Sequence, residues 1–450
     1  MWRKASTAIP CNPERHCRTE YSDLLSLAAA MLRRAATLRS QFVVSVAKPG
    51  RWWHKTLPHS FHFSRDCAYI GNGRTITTLA SRRILRVQGA DSESFLQGLI
   101  TNDVSVLRGN SRILEGETAQ SRASDDNNGR PKLLYTYFLN HKGRAICDSF
   151  IKLESHDNGT DPSFLLDCRD DAYPTLSRLL KMHCLRSKVK IKEEKNMKIC
   201  VHGPWNANTD GSDQGDDLSR VAEILHPDPR SSIFGLRGFI PNELVNAGAE
   251  NNVSEWTYNF FLRLQGVPEG TDMNGLIPLE CNLDSLNGVS FDKGCYVGQE
   301  LTARTHFTGL VRKLCYPVYF KLSGGNDATS NGVKFPTSFP DISSTLAAFN
   351  REKSASQLTH FELVSSETSS KKKSLKLLSN GKRVGKLVLP PLQPPADYEM
   401  EANIADFPPI GIALIRIDVA SDPDHKIFLE ANDSVDICGE LEVVPFKPAW

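Results

Sequence analysis

From about Leu79 onward, apolar and polar positions fall into short runs that read as alternating strands and helices. "RRILRVQG" (82–89) reads as a strand, and Asp91 is placed to N-cap a short helix with Phe95, Leu96 and Leu99 on one face. "LLYTYFLNHKGRAICDSFIKL" (133–153) is two β-rich runs around Asn140-His141-Lys142-Gly143, a hairpin pattern. "SFLLDC" (163–168) predicts a strand. A helix with Tyr173, Leu176, Leu179 and Leu180 inward follows, then strands at "KVKI" (188–191), "MKICVHG" (197–203) and "SSIFGLRGFIP" (231–241). "WTYNFFLRLQG" (256–266) spaces Trp256, Phe260 and Leu264 four apart, a helical period. Strands resume at "RKLCYPVYF" (312–320), "NGKRVGKLVLP" (380–390) and "GIALIRIDV" (411–419), which predicts a small C-terminal β-barrel or sandwich. Elements mix without the regular alternation of a doubly wound sheet, so the expected class is α+β.

Polar, low-complexity stretches interrupt this pattern at 119–130, 206–217 and about 323–379, and read as surface loops. Lys371-Lys372-Lys373, set among serines in the last of them, reads as a solvated loop.

Charge divides the chain. The net charge of the 450 residues is +2, yet residues 1–60 carry ten Lys/Arg against three acids. Subtracting these leaves 44 basic and 49 acidic residues, a mildly acidic body that argues against a nucleic-acid backbone binder. No acid occurs between Leu24 and Arg65, while "MLRRAATLRSQFVVSVAK" from Met31 is arginine-rich and amphipathic if helical. These features predict an organellar transit peptide, mitochondrial or plastid, within residues 1–65, with Met31 as a candidate alternative start. Glu20 and Asp23 precede the run Leu24–Leu32 where a secretory signal needs positive charge. No apolar run reaches the ~18 residues of a membrane span.

The eleven cysteines are scattered and include no C-x-x-C, so neither a disulfide framework nor a self-sufficient zinc site is indicated. "GNGRTI" (71–76) lacks the third glycine of a dinucleotide loop, and no P-loop occurs. The chemically suggestive stretch is "FDKGCYVGQELTART" (291–305). Read as a helix capped by Asp292, it puts Cys295 in the first turn, where free backbone amides and neighbouring Lys293 favour a thiolate. Helical spacing also pairs Tyr296 with Glu300 and Glu300 with Arg304, and sets Cys295 beside Gln299. Gly298 suggests close approach of another backbone or a ligand. A buried cysteine beside a glycine turn is the plain structural alternative.

"KGCYVGQELTAR", Lys293 to Arg304, resembles the K-G-C-Y-x-G-Q-E…R signature of the YgfZ-like family, within the folate-binding superfamily that includes the glycine-cleavage T protein. "QGVPEG" and "IPLECNLDSLNGVSF" lead into it, and "RILRVQGADSESFLQGLITNDV", "YFLNHKGR", "GKRVGKLV" and "GIALIR" resemble further family blocks. The resemblance implies a three-domain aminomethyltransferase-like arrangement around a central channel. Residues 79–305 would form two interleaved α+β folate-binding-like domains, and residues 306–450 a β-barrel. With the leader, it implies a mitochondrial-matrix factor acting late in 4Fe–4S protein maturation with A-type carrier proteins.

In that reading Cys295 is the metal ligand. Lys293, Gly294, Tyr296, Gly298, Gln299, Glu300 and Arg304 are its cofactor-binding surround. A 2Fe–2S cluster normally takes four protein ligands and one suitable thiol is in view, so the cluster would be shared with a partner. Tetrahydrofolate is a further expected ligand. The rival reading is a tetrahydrofolate-dependent aminomethyl or other one-carbon transferase. The relatives' neighbouring pair of acids is here Cys147-Asp148, a single carboxylate, which counts against aminomethyl transfer and leaves folate binding open. A third reading is thiol–disulfide exchange at Cys295, for which no resolving cysteine lies nearby in sequence.

Overall fold

The computed structural model describes residues 76–108, 130–154, 161–203, 221, 224–247, 254–322, 375–392, 410–422, 424–430, 441–448 and 450. The expected transit peptide, the Met31 start, the insert at 206–217, Lys371–Lys373 and almost all of the insert at 119–130 lie outside these residues. So does the expected insert at 323–379, except for its last five positions.

Fifteen strands are described: β1 (Thr77–Leu79), β2 (Arg82–Gln88), β3 (Leu134–Leu139), β4 (Ala145–Leu153), β5 (Ser163–Arg169), β6 (Lys190–Glu194), β7 (Met197–His202), β8 (His226–Pro227), β9 (Leu236–Pro241), β10 (Lys313–Leu322), β11 (Lys376–Ser379), β12 (Lys382–Leu389), β13 (Ile410–Arg416), β14 (Phe428–Leu429) and β15 (Leu441–Pro445). The helices are α1 (Ser92–Gln97), α2 (Tyr173–His183), α3 (Asn242–Ala247), α4 (Glu255–Leu264), α5 (Gln299–Phe307) and α6 (Ile417–Ala420). The strands form a five-stranded sheet ordered β3-β4-β5-β2-β6, a four-stranded sheet ordered β1-β7-β9-β8, and a closed barrel β10-β13-β12-β11-β14-β15. The mixed α+β class and the C-terminal barrel expected from the pattern are both present.

The five-stranded sheet is covered on both faces. On one, Leu85, Val87, Phe138, Ile151 and Leu166 pack beneath α1 and α2. On the other, Ile84, Tyr135, Tyr137, Phe150 and Leu165 share a core with Ile199 and Phe239 of the four-stranded sheet. Every residue of β3 is therefore buried, and "LYTYFL" is a continuous apolar run instead of an alternating one. Barrel strand β13 alternates in turn: Ile412 and Leu414 face the shared core, while Ala413 and Ile415 fill the barrel.

Some local expectations shift. Asp91 stands at the N-cap of α1 but makes no side-chain cap bond; its carboxylate accepts the Lys188 amide at 2.7 Å. That tie accompanies a turn at 187–189, and the strand read at "KVKI" starts two residues later, at Lys190. "SSIFGLRGFIP" is broken by a 3-10 turn at Ser232–Phe234 that ends in Gly235 at φ +66°, and only β9 pairs.

Candidate functional site

The signature stretch is a loop before it is a helix. α5 begins at Gln299 with Gly298 as its N-cap, so Asp292 caps nothing and Cys295 stands outside the helix, not in its first turn. Residues 290–297 bond instead to the chain leaving α1. Ser290 N–H donates to Thr101 O (3.1 Å), Val297 N–H donates to Gly98 O (3.0 Å), and Lys293 Nζ donates to the carbonyls of Gln97, Ile100 and Asn102 at 2.7–2.8 Å. The Val297 bond takes an amide that a helix from Asp292 would have used.

Lys293 is thus a clamp. Its side chain is buried, its ammonium turns inward against three carbonyls, and the Tyr296 ring centroid lies 4.9 Å from Nζ. Burial pushes Lys293 down to about 7, with Asp103 opposing. Three carbonyl acceptors require three N–H donors, so the geometry fits the protonated amine. The helical amides read beside Cys295 in the sequence are therefore not there, and the Lys293 ammonium is turned inward to its three carbonyls.

Cys295 itself is exposed, the one exposed cysteine among the described residues. Gly294 beside it meets nothing within 4 Å of a built Cβ, which leaves the thiol open to approach. Tyr296 turns inward, and burial raises its phenol to about 12. Its expected helical pairing with Glu300 is lost because Tyr296 precedes α5, and Cys295 and Gln299 share no helical edge for the same reason. Glu300 and Arg304 lie four apart on α5, both exposed, with no ion pair between them among the described residues.

Gly298 does serve close approach. At φ +80°, a Cβ there would stand 2.5 Å from Asn140 O and 3.0 Å from Gly143 Cα. Reciprocally, a Cβ on Gly143, at φ +73°, would stand 2.7 Å from Gly298 O and 2.5 Å from Leu301 Cβ. The turn of the β3–β4 hairpin and the start of α5 therefore meet glycine to glycine. The thiol loop is held from both ends, by Lys293 and by this contact.

Behind the loop lies a buried charge cluster that motif reading missed. Arg82 bonds Asp167 (2.6 Å) and Glu269 (2.9 Å); Arg237 bonds Asp167 (2.6 Å) and the Tyr258 hydroxyl (2.5 Å). Arg230 makes a two-pronged bond to Asp228 (3.0 and 2.9 Å) and a third to Glu269 (2.8 Å). Aromatic rings cover the guanidiniums, with Arg237 Cζ 3.9 Å from the Phe150 ring centroid and Arg230 Cζ 4.3 Å from that of Phe234.

Asp148 borders this network. One oxygen accepts the Gly270 amide at 2.7 Å; the other, like the nearby Tyr135 and Tyr137 hydroxyls, is buried without a hydrogen-bond partner among the described residues. Burial pushes Asp148 up to about 6 against Arg82, with Glu269 adding to the rise. Glu269 is held down at about 2, the three arginines and the Tyr258 hydroxyl outweighing its burial. A sequence clue existed: Arg82 and Asp167 interrupt apolar strands, and a buried charge in a strand demands a buried counter-charge.

No protein-family model matches the chain. It is 36% identical over 248 residues to the iron-sulfur cluster assembly factor IBA57 homolog, mitochondrial, of Mycosarcoma maydis, covering 54% of this chain and 56% of the relative. It is 35% identical over 249 residues to human iron-sulfur cluster assembly factor IBA57, mitochondrial, covering 54% and 65%. The chain thus spans between about half and two thirds of the length of these two relatives. With the Coccidioides immitis IBA57 homolog, identity is 29% over 391 residues, covering 83% of this chain and 82% of that one. Among solved structures, the glycine cleavage system aminomethyltransferase T of Bartonella henselae aligns with a TM-score of 0.47 at 11% identity, covering 85% of this chain and 88% of that one. The sequence relationships make the chain a homologue of the mitochondrial iron–sulfur cluster assembly factors named IBA57.

Proposed function

We propose that the protein is a mitochondrial-matrix iron–sulfur cluster assembly factor that acts late, with A-type carrier proteins, in the maturation of 4Fe–4S proteins. Cys295 donates one thiolate to a cluster carried as cargo, and the partner supplies the remaining ligands. The observation that carries this reading is the exposed Cys295 thiol on a loop fixed at both ends, while Cys147, Cys168, Cys200, Cys281 and Cys315 are buried. A cluster shared between two proteins needs such an accessible ligand, held still while the partner approaches. Iron itself would stabilise the thiolate once bound, so the loop need not supply a helix dipole or a cation.

The test is complementation. In cells depleted of their own IBA57, the native chain is expected to restore 4Fe–4S enzyme activity and Cys295→Ala is expected to fail at equal abundance. Equal rescue by both would overturn the role of Cys295.

A second reading, a tetrahydrofolate-binding transferase, rests on Asp148 Oδ2 and the Tyr135 and Tyr137 hydroxyls, three buried polar atoms without a well-formed hydrogen bond among the described residues. Their donor and acceptor capacity suits the edge of a pterin, which tetrahydrofolate would bring with its one-carbon chemistry. Calorimetric titration with tetrahydrofolate tests it: binding that weakens in Asp148→Asn supports the reading, and no heat of binding to the native chain opposes it.

A further inference from the structure

The helix that follows the thiol loop is poorly buried for its length. Of the nine residues of α5 only Thr302 is buried, and its C-terminal end presents Phe307 at 70% exposure, with Leu310 just beyond at 66%. Phe291, in the thiol loop, stacks on His306 with ring centroids 3.6 Å apart, and Phe307 meets both rings edge-on at 6.3 and 4.8 Å. The loop therefore starts against the C-terminal end of α5 and returns to its N-terminal end at Gly298, running beside the helix. Cys295 is four residues from Phe291, at most about 14 Å along an extended chain. Arg304, exposed on the same helix, has no ion pair among the described residues.

We infer that Phe307 and Leu310, with Arg304 at their edge, form the docking face for the protein that completes the cluster at Cys295. This rests on the function proposed above and adds the partner's footprint. Two facts favour that occupant. A cluster ligated by both proteins brings the partner's surface against Cys295, and a standard interface of about 800 Å² per side reaches roughly 16 Å from its centre, far enough to cover Phe291, whose ring meets that of Phe307 at 6.3 Å. Exposed aromatic and aliphatic side chains beside an exposed arginine are also the composition of an interface centre, and they call for an apolar seat with a carboxylate at its rim.

The full-length chain and an A-type carrier are mixed anaerobically and their affinity is measured by calorimetry. Phe307→Ser with Leu310→Ser is compared with Met182→Ser with Leu185→Ser, which removes another exposed apolar pair, from the α2 region. The first double variant should bind at least tenfold more weakly at an unchanged urea midpoint, and the second should bind as the native chain does. Arg304→Glu should weaken binding and flatten its dependence on salt. Binding of the Phe307/Leu310 variant within twofold of native, with the native complex intact, overturns the docking face and leaves the proposed function standing. A native chain that never binds the carrier, with or without iron and sulfide, fails the proposed function and the inference with it. A native homodimer that the same variant dissolves assigns the face to self-association and also overturns it.

Discussion

At neutral pH Asp148 is the fourth carboxylate beside three guanidiniums, and it is the one left with an unpartnered oxygen. Its folded value of about 6 against an ordinary 3.8 means the folded state holds the proton through that window while the unfolded state releases it. Stability contributed by the proton is full below about pH 4 and is lost as pH rises through 6. The ionised form then costs roughly 3 kcal/mol. Glu269 has the opposite sign: held at about 2 against 4.5, its stabilisation is present above pH 4.5 and fades as pH falls toward 2. Asp148→Asn keeps an oxygen for the Gly270 amide and removes the ionisation. It should therefore stabilise by up to about 3 kcal/mol in urea unfolding at pH 7.5 and change little at pH 4. Equal effects at the two pH values would contradict the assignment. At Lys293, substitution by Met would orphan three carbonyls, and a loss of about 1–3 kcal/mol is expected at neutral pH. A loss under about 0.5 kcal/mol, the scatter of neutral surface changes, would mean the clamp holds nothing.

At the scale of elements, the glycine pair joining the β3–β4 turn to α5 is the sharpest local demand. Gly298→Ala forces a positive φ on a Cβ that already meets Asn140 O, and about 2–4 kcal/mol of destabilisation is expected. Gly294→Ala, with open space around it, should stay within about 0.5 kcal/mol of native. Paired urea melts decide this, and equal losses at the two glycines would contradict it. The hairpin around Asn140–Gly143 and the helix carrying Trp256, Phe260 and Leu264 were legible because their signals are local: turn residues between two β-rich runs in one, apolar residues four apart in the other. The start of α5 was not. Spacing of four from Tyr296 through Arg304 suits a helix from Asp292, but residues 290–297 bond to the 97–102 segment, about 190 positions away in sequence. Nothing in the local pattern reports such a partner. The KVKI strand slipped for a similar reason, its entry being set by the tie from Lys188 to distant Asp91.

Across the whole molecule, the barrel, both sheets and the thiol loop meet around one core, with Cys281, Tyr296, Cys315 and Ile412 in the same cluster. Order of blocks along the sequence carried the relationship to the IBA57 proteins, whereas the buried network of Arg82, Arg230 and Arg237 with Asp167, Asp228 and Glu269 emerges only when strands far apart in sequence are brought together. The central claim concerns Cys295, the thiol this framework leaves exposed. The direct measurement is anaerobic reconstitution of the chain with an A-type carrier, iron and sulfide. Visible absorption and EPR spectra of the separated complex are then read for the native chain and for Cys295→Ala. The account predicts a cluster-bearing heterocomplex that disappears in Cys295→Ala; identical spectra from the two chains, or a cluster held by the carrier alone, would contradict it.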